Sequence, residues 1–313
     1  MIGDAWRCTG SGGGSGAFPA SSVNETMRHM RRALVVTLMV TAMDVVLEPA
    51  SAQEVGPVNR IIDRLQQDRP AIGTFTRSAN PDLDFVVIDT QYGEFDIGAV
   101  EQALARMQTG NGAPTAAPIV RIPYEARESP QTVVGQVLDA GVFGVMFPDI
   151  ETKEQAATAI SSMRFVQPAG AHGETPPGLR EFVPGSAPEF WGLSDREYQS
   201  RADIWPLDQS GALIAMLQIE SLTAVDHLDD ILDVPGIGAI FLGPTDLAES
   251  IGATGPNAPR VEALVQRVLG VCLERNVPCG YPIVARTPED AERETARRLN
   301  EGFKVLAVMT VSR

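Results

Sequence analysis

From residue 53 onward, short apolar runs rich in Val, Ile and Phe alternate with stretches whose apolar positions recur at helical spacing. The runs fall at 72–76, 85–89, 118–123, 144–148, 213–220, 239–243, 278–284 and 304–308. Continuous apolar runs of this length suit strands buried on both faces, as in parallel sheets. Strands alternating with helices predict parallel βαβ units, and eight of them in a segment of this size predict a single α/β domain, a (β/α)8 TIM barrel. Helix punctuation agrees. Thr287-Pro288-Glu289-Asp290 reads as an N-cap, a proline at the first helical position and acids in the first turn, while Gly141 and Gly302 mark helix stops. Two irregularities stand out. The first two runs are too close for a parallel crossover, which needs about a dozen residues, and the last run is followed by only a few residues. The first and last outer helices are therefore expected to be reduced or missing.

Residues 167–208, between the fourth and fifth runs, carry Pro, Gly and aromatic residues and exceed an ordinary loop. They read as a functional lid or rim segment, or as a contact surface for another subunit. Their start after the fourth helix places that start at the bottom of a barrel, so the role stays open at this level.

The amino terminus breaks the pattern. Residues 1–26 are Gly/Ser-rich and aperiodic, and read as disordered or as lying upstream of the true start, with Met27 or Met30 as an initiator. Arg28, Arg31 and Arg32 then precede an apolar stretch over 33–43, and Ala50-Ser51-Ala52 supplies small residues for cleavage before Gln53. That is a secretory signal pattern, too short for a stable membrane anchor. It predicts a leader over 1–52, a single domain over 53–313 and a periplasmic or secreted location, with a short buried helix and a cytoplasmic protein as the alternative. Cys272 and Cys279 flank a predicted helix end and read as reduced core residues or a pair.

Charge narrows the partners. The 313 residues carry a formal net charge of −15, and removing the leader leaves the balance unchanged because its acids and arginines are equal in number. Nucleic-acid binding is excluded on this ground, since phosphate tracking needs clustered Lys and Arg. Lys153 and Lys304 are the two lysines of the chain. The first sits at a polar helix start and the second opens the last strand at the barrel bottom, so neither is placed for Schiff-base chemistry.

Reactive groups of a barrel project from strand carboxyl ends. Those positions hold Asp89-Thr90-Gln91-Tyr92, Arg121, Gln218-Ile219-Glu220 and Gly243-Pro244-Thr245-Asp246. Glu220 and Asp246 end successive apolar strands. Each alone reads as a cap of the helix that follows; together they read as hard oxygen ligands for Mg2+ or Mn2+. Arg121 points either into the barrel mouth, as a cation for a carboxylate or oxyanion, or outward into a salt bridge. Gln218 shares a face with Glu220 and serves a substrate or a buried neighbour. Gly243, Pro244 and Thr245 form either an anion-facing loop or an ordinary turn. His172 and His227 fall at no strand end.

The runs LDFVVIDTQYGEFD, PIVRIP, VLDAGVFGVMFPDIETKEQA, GLRE, LQIES and GIGAIFLGPTDLAESIG resemble the HpcH/HpaI aldolase and citrate lyase family from about Gly73 to Val308. The resemblance implies a metal-dependent aldolase that cleaves 4-hydroxy-2-oxo acids to pyruvate and an aldehyde, and a homo-oligomer. It implies a divalent cation (Mg2+, Mn2+ or Co2+) on Glu220 and Asp246, Arg121 beside the developing enolate, and the amides near Gly243 to Thr245 on the pyruvate carboxylate. It also assigns base chemistry to Asp89 with a histidine, at whose position this chain has Tyr92. A tyrosine is a poor base at neutral pH. A 2-oxo-acid-binding relative weakened at Tyr92 and a CoA-ester lyase of the same fold are the alternatives, the latter without a Lys/Arg cluster for CoA phosphates.

Overall fold

The computed structural model describes residues 59–78, 80–108, 114–168, 175–183 and 185–311. The leader expected over residues 1–52 and His172 lie outside them. The chain enters through α1 (Arg60–Gln66) and then runs β1 (Ala71–Phe75), β2 (Phe85–Asp89), α2 (Ile97–Met107), β3 (Ala117–Arg121), α3 (Gln131–Ala140), β4 (Gly144–Phe147) and α4 (Lys153–Met163). After α5 (Ala187–Trp191), α6 (Asp195–Arg201) and β5 (Ile204–Trp205) come β6 (Leu213–Ile219), α7 (Leu222–Asp226), α8 (Leu228–Leu232), β7 (Ala239–Leu242) and α9 (Pro244–Ser250). The last elements are α10 (Pro259–Arg275), β8 (Cys279–Ala285), α11 (Pro288–Glu301) and β9 (Val305–Thr310).

Eight parallel strands close into a ring, in the order β1, β2, β3, β4, β6, β7, β8, β9, with β9 returning to β1. This is the (β/α)8 TIM barrel. All eight expected strands are present within one or two residues of their expected bounds. Their composition explains the closure. Every residue of β4, β6 and β7 is buried, because barrel side chains fill one face and helices cover the other. The helix punctuation also holds: the Thr287 side chain accepts the Asp290 N–H of α11, and Gly141 ends α3 at φ 114°, a left-handed conformation that glycine reaches without Cβ strain.

No helix among the described residues joins β1 to β2, as expected. The amino-terminal α1 was not anticipated. Asn59 caps it, its side chain accepting the Ile61 N–H, and donates to the Phe143 and Ala212 carbonyls at 3.1 and 2.9 Å. Those carbonyls precede β4 and β6, so α1 is clamped across the bottom of the barrel.

The described residues of the 167–208 insertion pack at the same end, which corrects the lid reading. The Trp191 ring stacks on Phe143 with centroids 4.5 Å apart and its indole N–H donates to the Gly141 carbonyl at 2.9 Å. Buried Arg180 is held by Asp139 and by the Tyr198 hydroxyl, and Arg164 pairs through two nitrogens with Asp203. Large aromatic burial plus guanidinium groups paired with carboxylates explain why the described residues of this stretch fold as part of the base. Lys304 binds Asp68 there too, and Lys153 faces Asp233 on the outer surface. Cys272 and Cys279 are buried free thiols. No helix among the described residues is long and apolar enough to cross a membrane.

Candidate active site

The carboxyl ends of the strands surround a cavity of about 310 Å³ lined by Asp89, Tyr92, Arg121, Gln218, Glu220 and the Gly243–Asp246 turn, with Phe75, Phe241, Leu242, Pro282, Val284 and Met309 completing the wall. Of the residues singled out at strand ends, Asp89, Tyr92, Arg121, Gln218, Glu220 and Gly243 to Asp246 therefore line one cavity, and Thr90, Gln91 and Ile219 do not. A concavity of about 290 Å³ at the opposite end offers a single acid, Asp63, and no strand carboxyl end among its described residues, so it lacks the convergent groups that chemistry requires.

Glu220 follows β6 and is 2% exposed. It does not cap the next helix: Ser221 does, accepting the Ala224 N–H. Asp246 likewise lies inside the first turn of α9, whose cap residue is Gly243. Both acids are thus free of the capping role. Gln218 donates to Glu220 Oε1 at 2.7 Å, and the Asp149 backbone N–H donates to Oε2 at 3.0 Å. Asp149 adopts φ 48° just beyond β4, a conformation uncommon outside glycine that is retained where surrounding structure demands it. Gly243 explains how β7 passes so close, since a Cβ there would stand 2.1 Å from Glu220 Oε1.

Burial first, and the negative charge of Asp246 second, push the Glu220 carboxyl up to about 7, against the opposing pull of the Asp149 N–H and Arg121. Two acids that repel each other in a dry site are what a cation relieves. The fit to a divalent metal rests on that repulsion and on Gln218 Oε1, which is buried without a hydrogen-bond partner among the described residues. Among them no group of three or more His, Cys, Asp or Glu side chains is placed to hold a metal. A cation here would draw on Glu220 and Asp246, with its other ligands from water and substrate.

Arg121 points into the mouth. β2 and β3 pair Asp89 with Arg121 directly, and the guanidinium spans the carboxylate, Nε to Oδ1 at 2.9 Å and Nη2 to Oδ2 at 2.5 Å. Two parallel charge-assisted bonds fix its plane. The Phe75 and Tyr92 rings lie 5.0 and 5.5 Å from it, while Nη1 has no hydrogen-bond partner among the described residues. Tyr92 is 69% exposed. Desolvation of its hydroxyl end, reinforced by Asp246, raises its phenol above the ordinary value although Arg121 pulls the other way. It therefore stays protonated at neutral pH even more completely than an ordinary tyrosine, and less of it is in the phenolate form that could take a proton.

Sequence reasoning missed Asp149, whose role arises from a backbone conformation, and the apolar wall. Phe75, Val284 and Met309 end or nearly end β1, β8 and β9. Reading every strand end, and not only the polar ones, finds them.

A parallel eight-stranded barrel with acids and an arginine at its carboxyl mouth has its reactive groups where barrel enzymes carry out their chemistry. Residues 74–305 match the HpcH/HpaI aldolase/citrate lyase family, and the chain belongs to that family. It is similar to the 5-keto-4-deoxy-D-glucarate aldolase of Citrobacter koseri, 27% identical over 245 residues, covering 75% of this chain and 85% of the relative. Among solved structures it resembles an HpcH/HpaI aldolase/citrate lyase family protein from Burkholderia cenocepacia, with TM-score 0.64 and 28% identity over 80% of this chain and 93% of the other. It shares its fold with the HpcH/HpaI aldolase of Desulfitobacterium hafniense, with TM-score 0.61 and 21% identity over 80% and 89% of the two chains.

Proposed function

We propose that the chain is a divalent-metal-dependent aldolase that breaks or forms the bond between the third and fourth carbons of a 4-hydroxy-2-oxo acid, with pyruvate and an aldehyde on the other side. The observation that carries this reading is the convergence of Glu220, Asp246 and Arg121 on one cavity. Cleavage leaves negative charge on the pyruvate fragment, and Mg2+ or Mn2+ held by Glu220 and Asp246 would supply Lewis-acid stabilisation of it. Arg121 adds a fixed cation, oriented by Asp89 and with Nη1 still free to meet the oxyanion. Gly243, Pro244 and Thr245 border the end of the cavity assigned to the pyruvate carboxylate. Tyr92, kept protonated, donates a hydrogen bond to the carbon-4 oxygen. With both Asp89 oxygens engaged, water at the cavity mouth takes the carbon-4 proton.

Pyruvate release from 4-hydroxy-2-oxo acids in Mg2+ or Mn2+, read through a coupled lactate dehydrogenase, tests the proposal. Turnover that disappears in Glu220→Ala together with metal binding supports it; unchanged metal affinity in that variant overturns the ligand assignment. Tyr92, raised further from the range of a base, favours a second reading, a 2-oxo-acid-binding relative with weak turnover. Retained pyruvate binding with no release in the wild type would select it. A CoA-ester lyase finds less support, since Arg121 is the one cation among the described lining residues. The signal pattern at Arg28 to Ala52 supports export, and intact mass of the protein recovered from its producing cells, starting at Gln53 or not, decides it.

A further inference from the structure

The cavity is divided by strand. Its acids, amide and guanidinium come from the ends of β2, β3 and β6 and from the turn after β7, where Phe241 and Leu242 also line it, whereas the lining residues of β8, β9 and β1 are Pro282, Val284, Met309 and Phe75, all apolar. Pro282 and Val284 are two residues apart and so face the same side of β8. Val284 and Met309 are register partners across β8 and β9, which makes the strip continuous from one strand to the next. Val284 is 63% exposed. A large aliphatic side chain left in water at the mouth of a catalytic cavity is informative where an isolated surface one is not.

Electrostatics point the same way. Asp89, Glu220 and Asp246 line the cavity against a single cation among the described residues, Arg121. Both Asp89 oxygens already occupy one edge of its guanidinium, and its neighbours on the other sides are the Phe75 and Tyr92 rings. Its one unpartnered nitrogen is the group that the reacting oxyanion requires. A second carboxylate, carried on the far end of the substrate, would lose water against Phe75, Val284 and Met309 with no cation left to pair with.

Resting on the aldolase reading above, we infer that the aldehyde half of the substrate carries an apolar substituent, alkyl or aryl, seated on Phe75, Tyr92, Val284 and Met309. The oxo-acid half lies over Glu220, Asp246 and the Gly243 turn, and the carbon-4 substituent extends across to the β8, β9 and β1 side. A cavity of about 310 Å³ is at the small end of ligand pockets, so the substituent is of modest size, such as a phenyl ring or a short chain.

The test uses the full chain with Mg2+ and runs in the direction of synthesis. Loss of the pyruvate methyl signal in heavy water, followed by proton NMR with no aldehyde present, reports the metal and oxo-acid half alone. Aldol formation is then compared for pentanal against 4-oxobutanoate and for benzaldehyde against 4-carboxybenzaldehyde. The apolar member of each pair is expected to have the higher kcat/KM, by about tenfold or more, the scale on which apolar pockets discriminate. Val284→Arg, on an exposed strand position that tolerates polarity, is expected to narrow or reverse the ratio by placing a cation at the mouth. Methyl exchange with equal or better use of the carboxylate aldehydes overturns this inference and leaves the aldolase reading standing. Absence of both exchange and aldol product with every aldehyde overturns both.

Discussion

Glu220→Gln separates a metal ligand from an ordinary buried acid, because the same burial that suits Glu220 to a cation makes its charge costly without one. Its carboxyl titrates at about 7 in the fold against an ordinary value of 4.5. A folded pKa above the unfolded one gives a contribution fully present below pH 4.5 and lost as pH rises through 7. At about 1.4 kcal/mol per pKa unit, the full loss is on the order of 3 kcal/mol, and the part falling between pH 5 and pH 8 is about 2 to 3 kcal/mol. The amide replacement does not titrate. It also keeps its neighbours satisfied: the new carbonyl accepts from the Asp149 N–H, and Gln218, whose Oε1 has no partner among the described residues, can turn its amide to accept from the new NH2. Urea unfolding in a chelating buffer at pH 5, 6, 7 and 8 measures the difference. The variant should gain on the wild type as pH rises, until it is more stable by about 2 kcal/mol or more at pH 8. Excess Mg2+ or Mn2+ should then restore the wild type alone, by about 2.7 kcal/mol at a hundred times Kd. Parallel stability profiles for the two proteins, or equal stabilisation of both by metal, would refute the reasoning.

Metal affinity itself should depend on pH, since a ligating Glu220 must be deprotonated: by calorimetry, Kd falls about tenfold per unit as pH rises toward 7 and levels above it, whereas a flat profile counts against Glu220. Arg121→Lys should lower kcat/KM by about a hundredfold or more with the fold intact, because a point charge cannot span both Asp89 oxygens; an unchanged value would place Arg121 outside the chemistry. Tyr92→His should raise turnover by about 10²-fold or more, the contribution of a positioned general base; an unaltered rate would show that proton removal does not limit this enzyme. Trp191→Ala should cost about 3 to 5 kcal/mol in unfolding experiments and leave KM unchanged, because its ring sits on Phe143 at the base of the barrel; a raised KM would return the insertion to the active face.

The barrel was legible because its strands are continuous apolar runs, a pattern that requires burial on both faces and hence a closed, helix-covered sheet. Glu220 and Asp246 were legible as a pair since each interrupts such a run at its carboxyl end on neighbouring strands. Their chemistry relative to the helices was not, because Ser221 and Gly243, rather than the acids, occupy the cap positions. Asp89 and Arg121 were each visible, but the bidentate bond between them depends on strand register, which a linear pattern does not carry. Asp149 acts through one N–H in a left-handed backbone, with no side-chain signature. The helix α1 had its signal, Asn59 ahead of Ile61, Ile62 and Leu65, and was hidden by its nearness to the leader. The base-side position of the insertion follows from the contact between Trp191 and Phe143, two residues far apart in sequence and close only after folding.

The most direct test of the central claim is a crystal structure of the full chain soaked with Mn2+ and pyruvate, with the metal located by its anomalous signal. A single Mn2+ bound by Glu220 and Asp246, chelated by pyruvate with Arg121 beside its 2-oxo oxygen, is the expected result. Manganese bound elsewhere, or pyruvate in the cavity with both carboxylates free of metal, would contradict it.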